Sequence, residues 1–387
     1  MAQRVQELPR QPGALRAQRG GLMRALRYAA TAVVLGLALG GCGGSDPDEP
    51  RPGPTPTPAP STSTAATPDA SAGSSDAGPA TDLLDWQPVD GPVEATATRS
   101  GEWTLTVDRG GRGYRLDGPE PARGTAGPGQ RVGDALIDGD WAVVVLQDQA
   151  EQRPMTAEVT DLATGKRFRV DGHSQVPTTT GGTWALGEGR LVHATVGAKG
   201  AYCLATVDLA TRASEVGWCA PKRHGFNDAR ITPAGTSLLS FDDGQPSCRT
   251  LVSVEGDRAT PFPGVEDCKG WDGLRTDDGA VWSVIPKERQ VESAHFYASA
   301  GDTQADLGPG TAGTLVWCAG AAYFVRDPQR EGDPASLMRW APDTGLAVVY
   351  RSPGGQAFLA EPRCGGDTLT VTALAEDGDE QVAATLS

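Results

Sequence analysis

Residues 93–108, VEATATRSGEWTLTVD, and residues 134–147, DALIDGDWAVVVLQ, share one pattern that decides the fold. In each stretch a strand-forming run ends at a tight turn with glycine, and a more apolar run follows. The pattern occurs seven times, with turn glycines at Gly101, Gly139, Gly189, Gly235, Gly279, Gly320 and Gly366. Their mean spacing is about 44 residues, which indicates a repeat of seven similar units.

A second hairpin follows the first in most units. TAEVTDLATGKRFRV (156–170) and CLATVDLATRASEV (203–216) share the turn sequence Asp-Leu-Ala-Thr. Four strands per unit at a period of about 40–45 residues are typical of a propeller blade. The sequence therefore predicts an all-β protein with a single seven-bladed β-propeller of four-stranded blades. A pair of β-sandwiches is the alternative, but the repeat is too regular for two unrelated sandwiches.

The ends of the repeat region predict how the ring closes. After Gly366 the chain offers only two strands, at about 368–374 and 381–386. The last blade is thus one strand short. Residues 83–89, LLDWQPV, precede the first repeat and are expected to supply that outer strand. Such closure leaves only short, protected sheet edges.

The seven cysteines divide into one near the N-terminus, Cys42, and six in the repeat region. An even number in an exported chain predicts disulfides. Positions 203 and 219 are symmetric about one hairpin turn, positions 248 and 268 bracket the equivalent hairpin of the next unit, and positions 318 and 364 each precede a turn glycine by two residues. We therefore predict the pairs Cys203–Cys219, Cys248–Cys268 and Cys318–Cys364. The cysteines form no C-x-x-C pair and no Cys/His cluster, so we expect no zinc site.

Residues 1–41 have the order of a secretory signal peptide. Arg24 and Arg27 precede an apolar run of about eleven residues, AATAVVLGLAL, which is too short to span a membrane as a helix. The following Leu39-Gly40-Gly41-Cys42 resembles the lipobox of bacterial lipoproteins. The resemblance implies that Cys42 receives a diacylglyceryl group, that the chain is cut before it, and that the protein is anchored at the extracytoplasmic face of the cell membrane. Residues 23–42 alone have the length and order of a complete signal peptide, so we expect translation to start at Met23.

Residues 42–82 are interpreted as a lipidated cysteine and a disordered tether. Residues 43–82 contain nine Pro and no Phe, Trp or Tyr, so they cannot bury enough apolar surface to fold. All nine Trp lie at or after Trp86. The sequence therefore predicts that the propeller domain comprises residues 83–387.

The charge of the chain excludes one class of partner. The full chain has 34 basic and 49 acidic side chains; the six Arg and one Glu of residues 1–41 leave 28 basic against 48 acidic, a net charge of −20. A chain with this negative charge repels the phosphate backbone of nucleic acids, so we expect no nucleic acid partner.

No catalytic residue or cofactor is predicted. The sequence has no Gly-x-Ser-x-Gly elbow, Gly-rich phosphate loop or His-Glu-x-x-His motif. The loops CAPKRHGFND (219–228) and VEDCKGWD (265–272) carry the one clustered basic and aromatic set of this acidic chain, and predicted disulfides flank both. A cation beside an aromatic ring suits an anionic or sugar-like group, or an acidic loop of a protein partner. The candidate binding face consists of Lys222, Arg223, His224, Lys269 and Trp271, with ordinary solvated loops as the alternative.

In layout the chain resembles propeller-bearing bacterial lipoproteins of the TolB-like or WD-like kind, with lipobox, tether and seven-bladed propeller in that order. The resemblance is at the level of the fold, without a diagnostic motif. We predict a lipid-anchored extracytoplasmic binding or scaffold protein whose propeller face binds a protein or an envelope polymer. The alternatives are an envelope glycan hydrolase or lyase with channel-facing carboxylates, and a sensor domain for a membrane partner. Enzymatic activity is the weaker interpretation.

Overall fold

Short β-strands form nearly all of the regular structure. The computed structural model describes residues 79–386 apart from 288, 356 and 377. The sequence predictions for residues 1–78, including the signal peptide, the lipidation of Cys42 and most of the tether, lie outside the described residues. No helix in the described ranges has the length and apolar character needed to cross a membrane.

The strands form seven separate sheets, each built mainly from four consecutive strands of the chain. Two short strands come first, β1 (Ala80–Thr81) and β2 (Gln87–Pro88). Blades 1–3 follow with β3 (Thr96–Ser100), β4 (Trp103–Val107), β5 (Gly113–Asp117), β6 (Ala122–Thr125); β7 (Gln130–Asp138), β8 (Trp141–Asp148), β9 (Thr156–Asp161), β10 (Arg167–Val170); and β11 (Trp184–Gly187), β12 (Arg190–Val196), β13 (Tyr202–Asp208), β14 (Ser214–Cys219).

Blades 4–6 contain β15 (His224–Thr232), β16 (Gly235–Asp242), β17 (Arg249–Glu255), β18 (Arg258–Pro261); β19 (Gly270–Thr276), β20 (Gly279–Val284), β21 (Ala294–Ala300), β22 (Thr303–Gly310); and β23 (Val316–Cys318), β24 (Ala321–Arg326), β25 (Ser336–Ala341), β26 (Gly345–Arg351). Blade 7 contains β27 (Phe358–Leu359), β28 (Arg363–Gly365), β29 (Thr368–Leu374) and β30 (Glu380–Thr385). Both β27 and β28 pair with β29 and share the inner position. The seven-bladed propeller predicted from the repeat is therefore confirmed, and the pair of sandwiches is excluded.

The first hairpin of every blade closes in the same way. Its last paired residues flank a two-residue turn, as at Ser100↔Trp103 and Asp138↔Trp141. Six of the seven glycines that revealed the repeat adopt a positive φ, for example Gly139 at 51°. A side chain with a Cβ is disfavoured in this left-handed region, which explains why glycine recurs there. The exception, Gly279, begins β20, where an added Cβ would come within 2.0 Å of the backbone oxygen of Ser299.

The hydrophobic core lies between neighbouring blades. A blade has another blade on each of its faces, so its second strand is buried on both sides and its sequence is nearly continuously apolar, as in β8 and β24. Phe296 of blade 5 stacks on Phe324 of blade 6 with ring centroids 4.1 Å apart, and both side chains are fully buried. Burying one such side chain stabilises the fold by about 1.5–3 kcal/mol.

The N-terminal clasp, residues 79–89, closes the ring. Gln87 and Pro88 pair with Ala383 and Val382 of β30, which confirms the outer strand predicted for residues 83–89. The sequence did not predict β1, which pairs in parallel with β26 of blade 6. Between these strands the indole Nε1 of Trp86 donates to the carbonyl oxygen of Val349 at 2.9 Å. The clasp thus joins blades 6 and 7 before the chain enters blade 1.

The three disulfides are those that the sequence predicted. Cys203 and Cys219 lie opposite each other on β13 and β14. Cys248–Cys268 joins the residue before β17 to the connection between blades 4 and 5. Cys318–Cys364 joins the inner strands of blades 6 and 7, at a sequence separation of 46. The last bond therefore supports ring closure at the channel, while the clasp supports it at the rim.

Candidate functional site

The propeller has two different faces. The upper face carries the connections between blades and the loops between the second and third strands of each blade. The lower face carries the turns after the first and third strands. Backbone hydrogen bonds join neighbours on each face, as from Asp243 N to Arg223 O on the upper face and from Leu162 N to Asp140 O on the lower face.

The five residues predicted to form a binding face all lie on the upper face, around blade 4. Lys222 and Arg223 belong to the connection from blade 3 to blade 4, and His224 begins β15. Lys269 ends the connection from blade 4 to blade 5, and Trp271 is the second residue of β19. The side chains of Lys222, Arg223 and His224 are exposed, whereas Trp271 is half-buried.

The loop of residues 243–248 in blade 4 links these two connections. On one side, Arg223 Nε donates to Asp243 Oδ2 at 2.8 Å. On the other side, Cys248 is bonded to Cys268. The loop itself is held by Asp242, whose Oδ1 accepts from the backbone N–H of Cys248 at 2.8 Å and of Gly244 at 3.1 Å. We call the resulting patch the blade-4 surface, formed by Lys222, Arg223, His224, Asp243, Arg249, Lys269 and Trp271.

The aromatic contact of this surface differs from the one that sequence reasoning suggested. The guanidinium carbon of Arg249 lies 4.8 Å from the ring centroid of Trp271, within the range of a cation–π contact. Arg249 directly follows Cys248, so the disulfide brings it to the Trp271 ring. In the sequence, Arg249 follows Cys248 and Trp271 lies three residues after Cys268. The contact between Arg249 and Trp271 can therefore be inferred only from the disulfide pairing.

Carboxylates in or beside the surface pair with two of its predicted cations. Hydrogen bonds from Arg223 hold the pKa of Asp243 below its usual range. Lys269 Nζ lies 3.7 Å from Glu266 Oε1. Exposed pairs of this kind add little stability. Because of these ion pairs, the surface has alternating charges and is not a basic patch.

Positive φ angles occur at one residue of this surface, at a neighbouring disulfide cysteine and at a bulge position of β15. Three of the eight described non-glycine residues with positive φ are Arg223 (67°), Asp228 (53°) and Cys268 (63°). Each left-handed residue of this kind costs of order 1 kcal/mol and persists only where the surrounding structure fixes it.

A second polar site, which sequence reasoning missed, lies on the inner strands or just before them. Counting back four residues from the end of each inner strand gives a polar residue in all seven blades. We call them the channel ring, which consists of Thr96, Asp134, Thr183, Asp228, Asp272, Thr314 and Glu361. The sequence contains this pattern. Counting back four residues from the residue before the turn of each first hairpin gives three threonines and four acidic residues.

Arg230 joins two carboxylates of the channel ring. Its terminal nitrogen Nη2 lies 3.0 Å from Asp228 Oδ1 and 3.9 Å from Glu361 Oε1. Asp228 belongs to blade 4 and Glu361 to blade 7, so the guanidinium connects non-neighbouring parts of the ring. β-bulges occur at Asp228–Ala229 in β15 and at Trp271–Asp272 in β19. Bulges redirect side chains and are frequent beside binding sites.

Asp272 is a fully buried carboxyl group of the ring. Its Oδ2 accepts from Ser283 Oγ at 3.0 Å and from the backbone N–H of Gly313 at 2.6 Å. Complete burial, together with the nearby charge of Asp228, raises the pKa of Asp272 to about 7. No group of three or more His, Cys, Asp or Glu residues within the described ranges is arranged to hold a metal ion.

These features define the chain as a seven-bladed β-propeller with a rigid blade-4 surface and a polar channel ring. No protein-family model matches the chain, and neither does any curated protein sequence. Among solved structures it is similar to a prolyl endopeptidase at 12% identity and a TM-score of 0.49, over 78% of this chain and 47% of that one. The chain thus spans about half the length of that enzyme.

Two further solved structures are similar to the chain. The propeller domain of the Trilobed protease from Pyrococcus furiosus matches at 10% identity and a TM-score of 0.42, over 65% of this chain and 80% of that one. An oligogalacturonate lyase in complex with manganese matches at 11% identity and a TM-score of 0.43, over 79% and 98% of the two chains. At these identities and scores, the similarity carries no inference about activity.

Proposed function

We propose that the protein is a lipid-anchored binding protein on the extracytoplasmic side of the cell membrane, and that its blade-4 surface binds a protein partner. The anchor would be Cys42, and the tether of residues 43–82 would span roughly 35 Å as a flexible coil. Three disulfides in the propeller support an oxidising compartment.

One observation carries the binding part of the proposal. The loop of residues 243–248 is held to both neighbouring connections, by the Arg223–Asp243 pair on one side and Cys248–Cys268 on the other. The surface is therefore fixed before a partner arrives, which reduces the entropy lost on binding. Because Arg223 and Lys269 already have acidic neighbours, the surface suits a partner of mixed charge better than a polyanionic polymer. Arg and Trp are also the residue types enriched at protein interfaces.

The glycan hydrolase or lyase that the sequence left open is the weaker candidate. Such an enzyme needs two carboxylates flanking a sugar bond, at a separation of roughly 5–9.5 Å. Here Asp272 has no exposed surface, and the guanidinium of Arg230 contacts both Asp228 and Glu361. A sugar ring would have to displace these groups before reaching any pair of ring carboxylates. A sensor domain for a membrane partner would use the same surface as the proposed binding protein.

Affinity capture with matched variants tests the proposal. The bait is the full chain with Cys42→Ser, which the proposal predicts to move from the membrane fraction to the soluble fraction. We expect Lys222→Ala, Arg223→Ala and Trp271→Ala together to weaken capture of the partner about 30-fold, as loss of a central interface residue does. The matched control is Lys166→Ala, Arg212→Ala and Phe168→Ala on the opposite side, where Arg212 stacks on Phe168.

The control carries the same loss of two cations and one aromatic ring and is expected to leave capture unchanged. Trp271 is half-buried, so a second variant keeps it and carries only Lys222→Ala and Arg223→Ala. This variant avoids a folding defect at Trp271 and is also expected to weaken capture. Equal loss of capture in the surface variant and the control variant would show that the blade-4 surface is not the binding face. A wild-type chain that is soluble without Cys42→Ser would remove the anchor from the proposal.

A further inference from the structure

The three disulfides of the propeller differ in how accessible they are to solvent. Cys203 and Cys318 are fully buried, with 0% and 1% of their surface exposed. The other members of these two bonds are half-buried. Cys268 is exposed, and its partner Cys248 is half-buried. Among the three described bonds, only Cys248–Cys268 therefore has an exposed cysteine at which a reagent can approach from solution.

Neighbouring groups cover the other two bonds. The backbone at Gly197 passes so close to the Cys203–Cys219 bond that an added Cβ would lie 2.5 Å from Cys203 Sγ and 3.4 Å from Cys219 Sγ. Cys318 belongs to the hydrophobic core between blades 6 and 7, and Cys364 packs against it. A thiolate must reach the sulfur that it attacks, so these two bonds resist exchange while the fold is intact.

The Cys248–Cys268 bond also fixes an exposed segment of the chain. Residues 263–268, in the connection between blades 4 and 5, are all exposed except the half-buried Val265. The backbone at Cys268 is left-handed, with a φ of 63°. A non-glycine residue in this conformation is strained and persists only where its surroundings fix it. Opening the bond removes one of the constraints that keep Cys268 in this conformation.

We propose that Cys248–Cys268 is a site of thiol–disulfide exchange, and that its reduction by a dithiol releases residues 263–269 from blade 4. A thiolate of the dithiol attacks Cys268 Sγ, and the Cys248 sulfur leaves as a thiolate. The second thiol of the reductant then attacks the mixed disulfide and frees Cys268. The reductant is oxidised to its own disulfide and supplies two electrons, and the two protons that it loses end on the two cysteines.

Reduction at this site regulates the blade-4 surface, and this part of the inference rests on the proposed function. Lys269 lies in the released segment, and Trp271 follows it by two residues. On the other side of the bond, Cys248 precedes Arg249, whose guanidinium contacts the Trp271 ring. Without the bond the surface is no longer fixed before a partner arrives, so binding costs more entropy. The reduced protein should therefore bind its partner more weakly than the oxidised protein.

Titration with dithiothreitol tests the exchange site. The sample is the full chain with Cys42→Ser, which leaves the six cysteines of the propeller. After each step the free thiols are alkylated with iodoacetamide, and peptide mapping identifies them. We expect half-alkylation of Cys248 and Cys268 at a dithiothreitol concentration about tenfold below that needed for the other cysteines. The inference is wrong if the three bonds open together, or if either of the others opens first.

Amide hydrogen exchange of the selectively reduced chain tests the release of the segment. Exchange at residues 263–269 should become about tenfold faster, while exchange in the buried blade strands stays unchanged. Cys248→Ser with Cys268→Ser should reproduce this change without a reductant, and the matched control, Cys203→Ser with Cys219→Ser, should not. Unchanged exchange at residues 263–269 after selective reduction would show that the bond does not hold this segment.

Affinity capture separates this inference from the proposed function. The two measurements above need no partner, so their results do not depend on what the blade-4 surface binds. With a captured partner, the reduced chain and the variant with Cys248→Ser and Cys268→Ser should each bind about tenfold more weakly than the oxidised chain. Equal capture by the oxidised and the selectively reduced chain would overturn the regulation of the surface.

Discussion

Replacing Cys318 and Cys364 together by serine is expected to lower the free energy of unfolding by about 4 kcal/mol. The bond closes a loop of 46 residues, the longest of the three, and it joins the inner strands of blades 6 and 7. Without it the unfolded chain gains the most conformational freedom, and the ring depends on the clasp alone to hold its last two blades together. Denaturant unfolding of the full chain under non-reducing conditions measures the change.

The Cys203–Cys219 pair provides the control for loop length. It closes only 16 residues within one hairpin, so the corresponding double serine variant should lose about 3 kcal/mol. The loss for Cys318 and Cys364 must be the larger of the two. If the hairpin disulfide mattered more, closure of the ring between blades 6 and 7 would not be the stabilising role of Cys318–Cys364.

Asp272→Asn is expected to stabilise the protein at pH 8, by up to about 4 kcal/mol. The pKa of Asp272 rises from 3.8 to about 7 on folding, chiefly because the group is buried. Between these values the folded chain keeps a proton that the unfolded chain has lost, so the free energy of unfolding falls as the pH rises from about 4 to 7. Asparagine does not titrate and keeps an oxygen for Ser283 and Gly313. The stability difference should therefore be small near pH 4 and largest above pH 7.

Thermal unfolding of both proteins across this pH range measures the difference. Burial lowers the pKa of His193, so this residue contributes a pH dependence of the opposite sign, but it is common to both proteins and cancels. The control is Asp208→Asn. Hydrogen bonds from Thr211 lower the pKa of Asp208, so that variant should be less stable than the wild type at neutral pH. A pH-independent effect of Asp272→Asn would contradict the buried, protonated carboxyl group.

A carboxyl group that costs stability at neutral pH is consistent with a role in binding. Proteins keep such groups where function requires them and gain stability when they are replaced.

The repeat carried most of the fold prediction, because each blade uses the same short turn and the same alternation of a mixed and an apolar strand. The disulfide pairs followed from register, since equivalent positions in a repeat occupy equivalent places in space. The parallel strand β1 was not predictable from local pattern. Ala80 and Thr81 have no strand-like neighbours, and only the exposed edge of β26 gives them a partner.

The candidate sites were predictable to different degrees. The sequence showed that basic and aromatic residues cluster in the loops of the blade-4 surface. It did not show the contact between Arg249 and Trp271, which depends on the Cys248–Cys268 bond. The channel ring was missed because its members are about 40 residues apart and each looks like an ordinary polar residue in its own strand. The sequence gives no sign that Asp272, next to Trp271, is special, because its burial and its hydrogen bond from Gly313 depend on the fold.

Amide hydrogen exchange of the full chain, alone and with its captured partner, tests the central claim most directly. The account predicts slower exchange on binding at residues 220–228, 243–249 and 262–271, which form the blade-4 surface and its supporting loop. Exchange in the lower-face turns at residues 101–102, 139–140 and 188–189 should stay unchanged. Protection confined to those turns or to the outer strands, with the blade-4 surface unaffected, would contradict the account.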